Sequence, residues 1–177
     1  MTMKHRSFIL SVAVMLVSGG CVPPPVTMYA YPPDAPDRVA VVDNVMFGNP
    51  PNAARVEGSS KPIGFSAMVM FFNNTRMEPI MVQGGVEIRM YDGALSADAL
   101  ETATPRQVWE FPGDQLGQYA GRHRLLGWGY NFGLLEWGAN APTQDRVTVV
   151  VRYLGGPRPV QSSPTVVDVR AANSLTW

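Results

Sequence analysis

The sequence predicts an all-β protein, an immunoglobulin-like or related antiparallel β-sandwich of about seven strands, on three observations. Val86-Glu87-Ile88-Arg89-Met90-Tyr91 alternates in side-chain character, with Val86, Ile88 and Met90 on one face, so one face is buried. Val147-Thr148-Val149-Val150-Val151-Arg152-Tyr153 is β-branched at nearly every position, the composition of a central strand covered on both faces for part of its length. Clusters of Gly, Pro, Asn and Asp divide such runs at intervals that suit a sandwich.

In order, strands are expected at 38–47, 64–72, 86–91, 107–111, 127–134, 147–153 and 165–170. A one-residue slip at 147–153 would expose its valines, so burial sets its register. Residues 96–101 and 113–119 read as one or two helical turns each, the second with Asp114 as a candidate cap. Both are too short to stand without the sheets. Methionines 68, 70, 77, 81 and 90 suit gaps in a core better than a metal.

The sharpest pattern is 127–134, where Trp128, Tyr130, Phe132 and Leu134 share one face and Gly127, Gly129, Asn131 and Gly133 the other. One reading makes the aromatics core, each ring burying about 150–250 Å², while the glycines admit close approach of a covering segment or leave a trough. The other turns Trp128 and Tyr130 to solvent with Trp137, as a platform that stacks sugar rings. Four large apolar side chains exposed in a line would promote aggregation, which favours the core reading.

Ahead of the strands, Lys4, His5 and Arg6 precede a ten-residue apolar run, 8–17, and the small residues Ser18-Gly19-Gly20 lead to Cys21. That is the three-part pattern of an export leader. A helix of the apolar run would be about 15 Å long, half of a bilayer core, so a cleaved leader at 1–20 is expected rather than a permanent span. Leu16-Val17-Ser18-Gly19-Gly20-Cys21 resembles the lipobox of bacterial lipoproteins, with Ser18 where Leu is commonest. The resemblance implies acylation of Cys21, and Val22 after it implies the outer membrane. A plain secretory signal would instead leave Cys21 as a free thiol in an oxidising compartment. Residues 21–37 carry six prolines and read as the lipidated cysteine and a stiff tether, reaching about 50 Å if fully extended as polyproline II. The single domain is expected at 38–177.

Removing Lys4 and Arg6 from the 14 basic residues leaves 12 against 14 acidic ones, a formal charge of 12 − 14 = −2. Such a balance, with scattered arginines and Lys61 the one remaining lysine, argues against a nucleic-acid partner. One cysteine and, after the leader, one histidine exclude a disulfide within the chain and a zinc site of the usual kind. No metal or other cofactor is expected.

Catalytic residues are not expected either. There is no Gly-x-Ser-x-Gly elbow, and His123 alone gives a Ser-His or Cys-His machine little to draw on. Glu110, Asp114 and Glu136 are acids near aromatics, a trio that any chain with 14 acids supplies by chance. Asp92, Asp98 and Glu101 lack the spacing of an EF-hand and read as surface solvation. Asn73-Asn74-Thr75 matches an acceptor sequon that a bacterial-type leader makes irrelevant. Arg122-His123-Arg124, placed in a connection before the aromatic strand, is the densest basic cluster. Arg122 and Arg124 are therefore candidate contacts for an anionic envelope component, against the plainer reading of a solvated turn.

The succession Val86-Glu87-Ile88-Arg89-Met90-Tyr91-Asp92, Val108-Trp109-Glu110-Phe111, Gly127-Trp128-Gly129-Tyr130 and the valine-rich 147–153 resembles a group of uncharacterised bacterial envelope lipoproteins over about residues 38–170. The resemblance implies an exported β-sandwich and supplies no catalytic residue. The functional expectation is a non-catalytic structural or interaction module, membrane-bound through its lipid, that meets an envelope protein or cell-wall partner. The alternative is a carbohydrate-binding or cell-wall-binding module using Trp128, Tyr130 and Trp137.

Overall fold

The computed structural model describes residues 30–57, 61–76, 78–170 and 173–175. The leader, Cys21, the first part of the tether, Met77 and the terminal Thr176-Trp177 lie outside the described residues. The strands are β1 (Arg38–Val39), β2 (Asn44–Val56), β3 (Gly64–Phe72), β4 (Met81–Val82), β5 (Val86–Asp92), β6 (Gln107–Phe111), β7 (Ala120–His123), β8 (Gly127–Glu136), β9 (Arg146–Tyr153), β10 (Val160–Gln161), β11 (Thr165–Asp168) and β12 (Asn173–Leu175). Helix α1 (Ala97–Leu100) follows β5, and single 3₁₀ turns lie at Leu116–Tyr119 and Gly138–Asn140.

Two largely antiparallel sheets, not closed into a barrel, share one apolar core. One runs β12-β2-β3-β8-β7; the other runs β10-β9-β5-β6, with β11 also paired to β9. β1 and β4 form a short parallel pair outside both. The period-two strands behave as their patterns require. Val86, Ile88 and Met90 of β5 and Val147, Val149 and Val151 of β9 are buried between the sheets. On the outer face Tyr91 and Val150 are covered by Leu100 of α1, whose first turn is capped by Ser96 accepting the Ala99 N–H at 3.4 Å. Thr148, fully buried there, donates to Gly93 C=O at 2.8 Å and accepts the Leu95 N–H at 2.8 Å, so its hydroxyl is satisfied while it pins the segment leading to α1.

Several elements depart from the sequence pattern, each for a local reason. The strand expected at 38–47 is divided into β1 and β2, and β2 continues through Pro50-Pro51 to Val56. Proline cannot donate to a ladder, and it is accommodated because β2 is irregular there, with register shifts between Phe47, Asn49 and Asn52. β8 bulges at Gly133-Leu134: Ala67 pairs with Phe132 but Phe65 with Leu135. The row predicted to end on Leu134 therefore reaches the core through Leu135, 6% exposed, while Leu134 is half-exposed. Asp114 is exposed and caps nothing; the 3₁₀ turn after it follows Gln115 without a side-chain cap. The Arg122-His123 pair expected in a connection lies in β7, an edge strand hydrogen-bonded to β8. The strand expected at 165–170 ends at Asp168 as β11, and between β10 and β11 Ser162 keeps the chain on β9, donating its backbone N–H to Val151 C=O at 2.9 Å and accepting the Val151 N–H on Oγ at 3.0 Å.

The methionines divide by face. Met81 and Met90 are in the core, whereas Met68 and Met70 lie on the outer side of β3 over Gly129 and Gly48. A Cβ on Gly129 would approach Met68 Cε at 2.9 Å, so flexible thioethers fill the trough that the glycines leave.

Candidate functional site

The residues with the most elaborate surroundings are gathered where the end of the tether meets β8. Tyr130 has no exposed surface, and its ring meets Phe71 and Tyr31 edge-on with centroids at 5.6 and 6.3 Å. Val82 donates its backbone N–H to Tyr130 Oη at 2.9 Å, and Tyr31 donates its hydroxyl to Val82 C=O at 3.3 Å. The two hydroxyls are 3.0 Å apart. Because the Tyr31 proton is engaged by Val82, Tyr130 donates to Tyr31, and the three groups close a hydrogen-bonded ring.

From Tyr31 onward the stretch expected as part of a stiff tether at 21–37 is docked on the sandwich. Arg38 stacks over the Tyr31 ring at 5.2 Å from the centroid. Gln83 donates to Val39 C=O from its backbone at 3.2 Å and to Arg38 C=O from Nε2 at 3.0 Å. Tyr153 donates to Ala40 C=O at 2.9 Å, and Asp43 joins the end of β3 through its N–H to Phe72 C=O at 2.9 Å and its carboxylate, which accepts the Asn74 N–H at 2.7 Å. Residues 31–43 form a strap held along its length, with Tyr31, half-buried against the core, as its hook.

Burial raises the ionisation of Tyr130 far above the ordinary tyrosine value of 10.0, and the bond it donates to Tyr31 raises it further, against a smaller opposite pull from Val82. Burial also raises Tyr31 and Tyr153. A raised value means that the folded state holds its proton longer than the unfolded one. The contribution is complete below pH 10 and declines as pH rises toward the folded-state values. Above pH 10 the loss from Tyr130 alone approaches about 1.4 kcal/mol per pH unit. Urea midpoints measured as pH is raised through this range should fall, and Tyr130→Phe should flatten the decline; an unchanged slope would contradict the buried ring.

The other predicted residues scatter. Trp128 is half-buried against the core, across the ladder from exposed Arg122. Arg124 is exposed in the β7–β8 turn, where His123 Nδ1 accepts the N–H groups of Leu125 at 3.3 Å and Leu126 at 3.2 Å. Gly127 closes that turn at φ 87°, a conformation that favours glycine. Trp137 is 4% exposed and sits after β8, floored in a groove beside Lys61, Pro62, Pro142 and the Arg170–Asp145 ion pair. Tyr130 and Trp137 are therefore core residues, and with Trp128 they do not make an exposed platform. Exposed Glu110 and Asp114 lie toward the strap end of β6, and exposed Glu136 is at the end of β8 away from the strap. Asp92 holds a loop, accepting from Thr143 N at 3.1 Å and Thr143 Oγ1 at 2.8 Å, while Asp98 is exposed on α1 and Glu101 is exposed at its end. Among the described residues no group of three His, Cys, Asp or Glu side chains could hold a metal ion, and no helix is long and apolar enough to cross a membrane.

Sequence reasoning missed Tyr31. The signal was an aromatic residue inside a proline-rich stretch, where a solvated spacer has no use for one. No protein-family model, curated protein or solved structure matches the chain.

Proposed function

We propose that the chain is a lipid-anchored bacterial envelope protein whose immunoglobulin-like sandwich is a non-catalytic interaction module. The observation that carries this reading is Cys21, the one cysteine, placed directly after an export leader. Support for the immunoglobulin-like form comes from strand order. β2-β3-β8-β7 reads as A-B-E-D, and β6-β5-β9-β11 as C′-C-F-G. Acyl chains carried on Cys21 would hold the protein on the outer membrane, and the strap would hold the sandwich close to the lipid rather than at the end of a long spacer. A partner in the envelope is then met at high effective concentration. The sugar-stacking alternative has lost its support with the burial of Tyr130 and Trp137.

The test is Cys21→Ser in the full chain, followed by membrane fractionation and in-cell crosslinking. The wild type should be recovered with membranes and the variant should be released, because two or more acyl chains anchor stably and their removal leaves nothing comparable. Equal recovery of both forms with membranes would sink the anchor.

A further inference from the structure

Building on the lipid anchor proposed above, we infer that the tip of the β7–β8 hairpin, residues 122–126, is a second membrane contact that seats on anionic lipid headgroups. The first ground is where the chain outside the sandwich ends. Tyr31 is fixed on Tyr130, so only the ten residues from Cys21 to Ala30 separate the lipid from the docked strap, a span of at most about 36 Å. The strap end of the sandwich is therefore the end drawn toward the bilayer.

The hairpin tip is at that end. A Cβ on Gly127, where β8 begins, would stand 3.4 Å from Pro79, and Pro79 leads into β4, the partner of strap strand β1. Tyr130, which holds Tyr31, is three residues into the same strand.

The chemistry of the tip fits a headgroup layer. Leu125 is 85% exposed, the most exposed large hydrophobic residue among those described, and the two N–H groups accepted by His123 Nδ1 fix the turn that presents it. Arg124 precedes it in the turn and Arg122 lies at the end of β7, both exposed, and neither makes an ion pair or side-chain hydrogen bond among the described residues. Arg89, Arg106, Arg152 and Arg170, by contrast, are each paired with a carboxylate. Asp43, Arg76 and Glu78 are exposed on and beside the neighbouring turn, where the Asp43 carboxylate accepts the Asn74 N–H, whereas residues 120–127 carry no carboxylate. One leucine and two arginines bind a membrane weakly alone. Held at the surface by an acyl anchor, the same contact becomes occupied, since tethering makes the second binding step intramolecular.

The experiment uses the full lipidated chain with Leu125→Cys, in which the Cys21 thiol is consumed by its lipid and the introduced thiol is free to take a polarity-sensitive dye. On vesicles of phosphatidylcholine with phosphatidylglycerol the dye emission should shift to the blue and be quenched by spin-labelled lipid. Arg122→Gln and Arg124→Gln should each lower the ratio of seated to free tip about fivefold. A dye at Gln144→Cys, exposed on the groove of Trp137, should report water throughout. If the protein floats with the vesicles while the dye at the hairpin tip reports water, the second contact is overturned and the anchor stands, as it would if the tip met a protein instead. If a Cys21→Ser version floats as well as the lipidated one, the anchor itself fails, whatever the dye reports.

Discussion

Replacing Tyr130 by alanine should destabilise the domain by about 3–5 kcal/mol, the range for deleting a large aromatic side chain from a packed interior. The loss has separable parts. The ring fills space between Phe71 and Tyr31, its hydroxyl accepts the Val82 N–H, and its proton holds Tyr31. Tyr130→Phe keeps the ring and leaves the Val82 N–H buried without its acceptor, at a cost of about 1–3 kcal/mol. The double variant with Tyr31→Phe should cost less than the sum of the singles, because both hydroxyls belong to one hydrogen-bonded ring. Equilibrium urea unfolding supplies the comparison, provided the denaturant slope is unchanged. A loss under about 1 kcal/mol for the alanine variant would mean that Tyr130 does not occupy the core as described.

Gly84→Ala should be the most damaging of the small substitutions. Gly84 packs backbone to backbone on Gly155 beneath the Tyr153 ring; an added Cβ would fall on Gly155 Cα, and Tyr153 Cε2 would be 3.0 Å away. Two pieces of backbone cannot yield as a flexible side chain can. Relief would displace Gln83, whose backbone and amide hold the strap, or Tyr153, which holds Ala40. A loss of about 1–3 kcal/mol is expected, with strap release visible as faster proteolysis ahead of residue 43. Gly133→Ala is the matched control: nothing lies within 4 Å of its Cβ, and its effect should stay within about 0.5 kcal/mol. Equal effects at both positions would refute the close-packing account.

These variants mark where the sequence ceased to be legible. The strands at 64–72 and 107–111 have the bounds their patterns indicate, and β5 and β9 extend theirs by one residue, because alternation and β-branching are local properties that burial enforces. Short pairings without internal periodicity were invisible: β1, β4, β10 and β12 span two or three residues each. β7 was hidden by its composition, since Ala-Gly-Arg-His reads as a turn until an aromatic neighbour supplies its ladder.

By itself the sequence determined the all-β class of the fold and the buried faces of β5 and β9. Each of these is written in spacing along a few consecutive residues. The tertiary structure alone decided that the bulge at Gly133-Leu134 passes the core position to Leu135, that Tyr130 and Trp137 are interior, and that a proline-rich tether ends in a hook. Those outcomes depend on groups far apart in the chain. Tyr31 meets Tyr130 across 99 residues, and Tyr153 meets Ala40 across 113, so the close approach that forms each bond exists only after the sheets have packed.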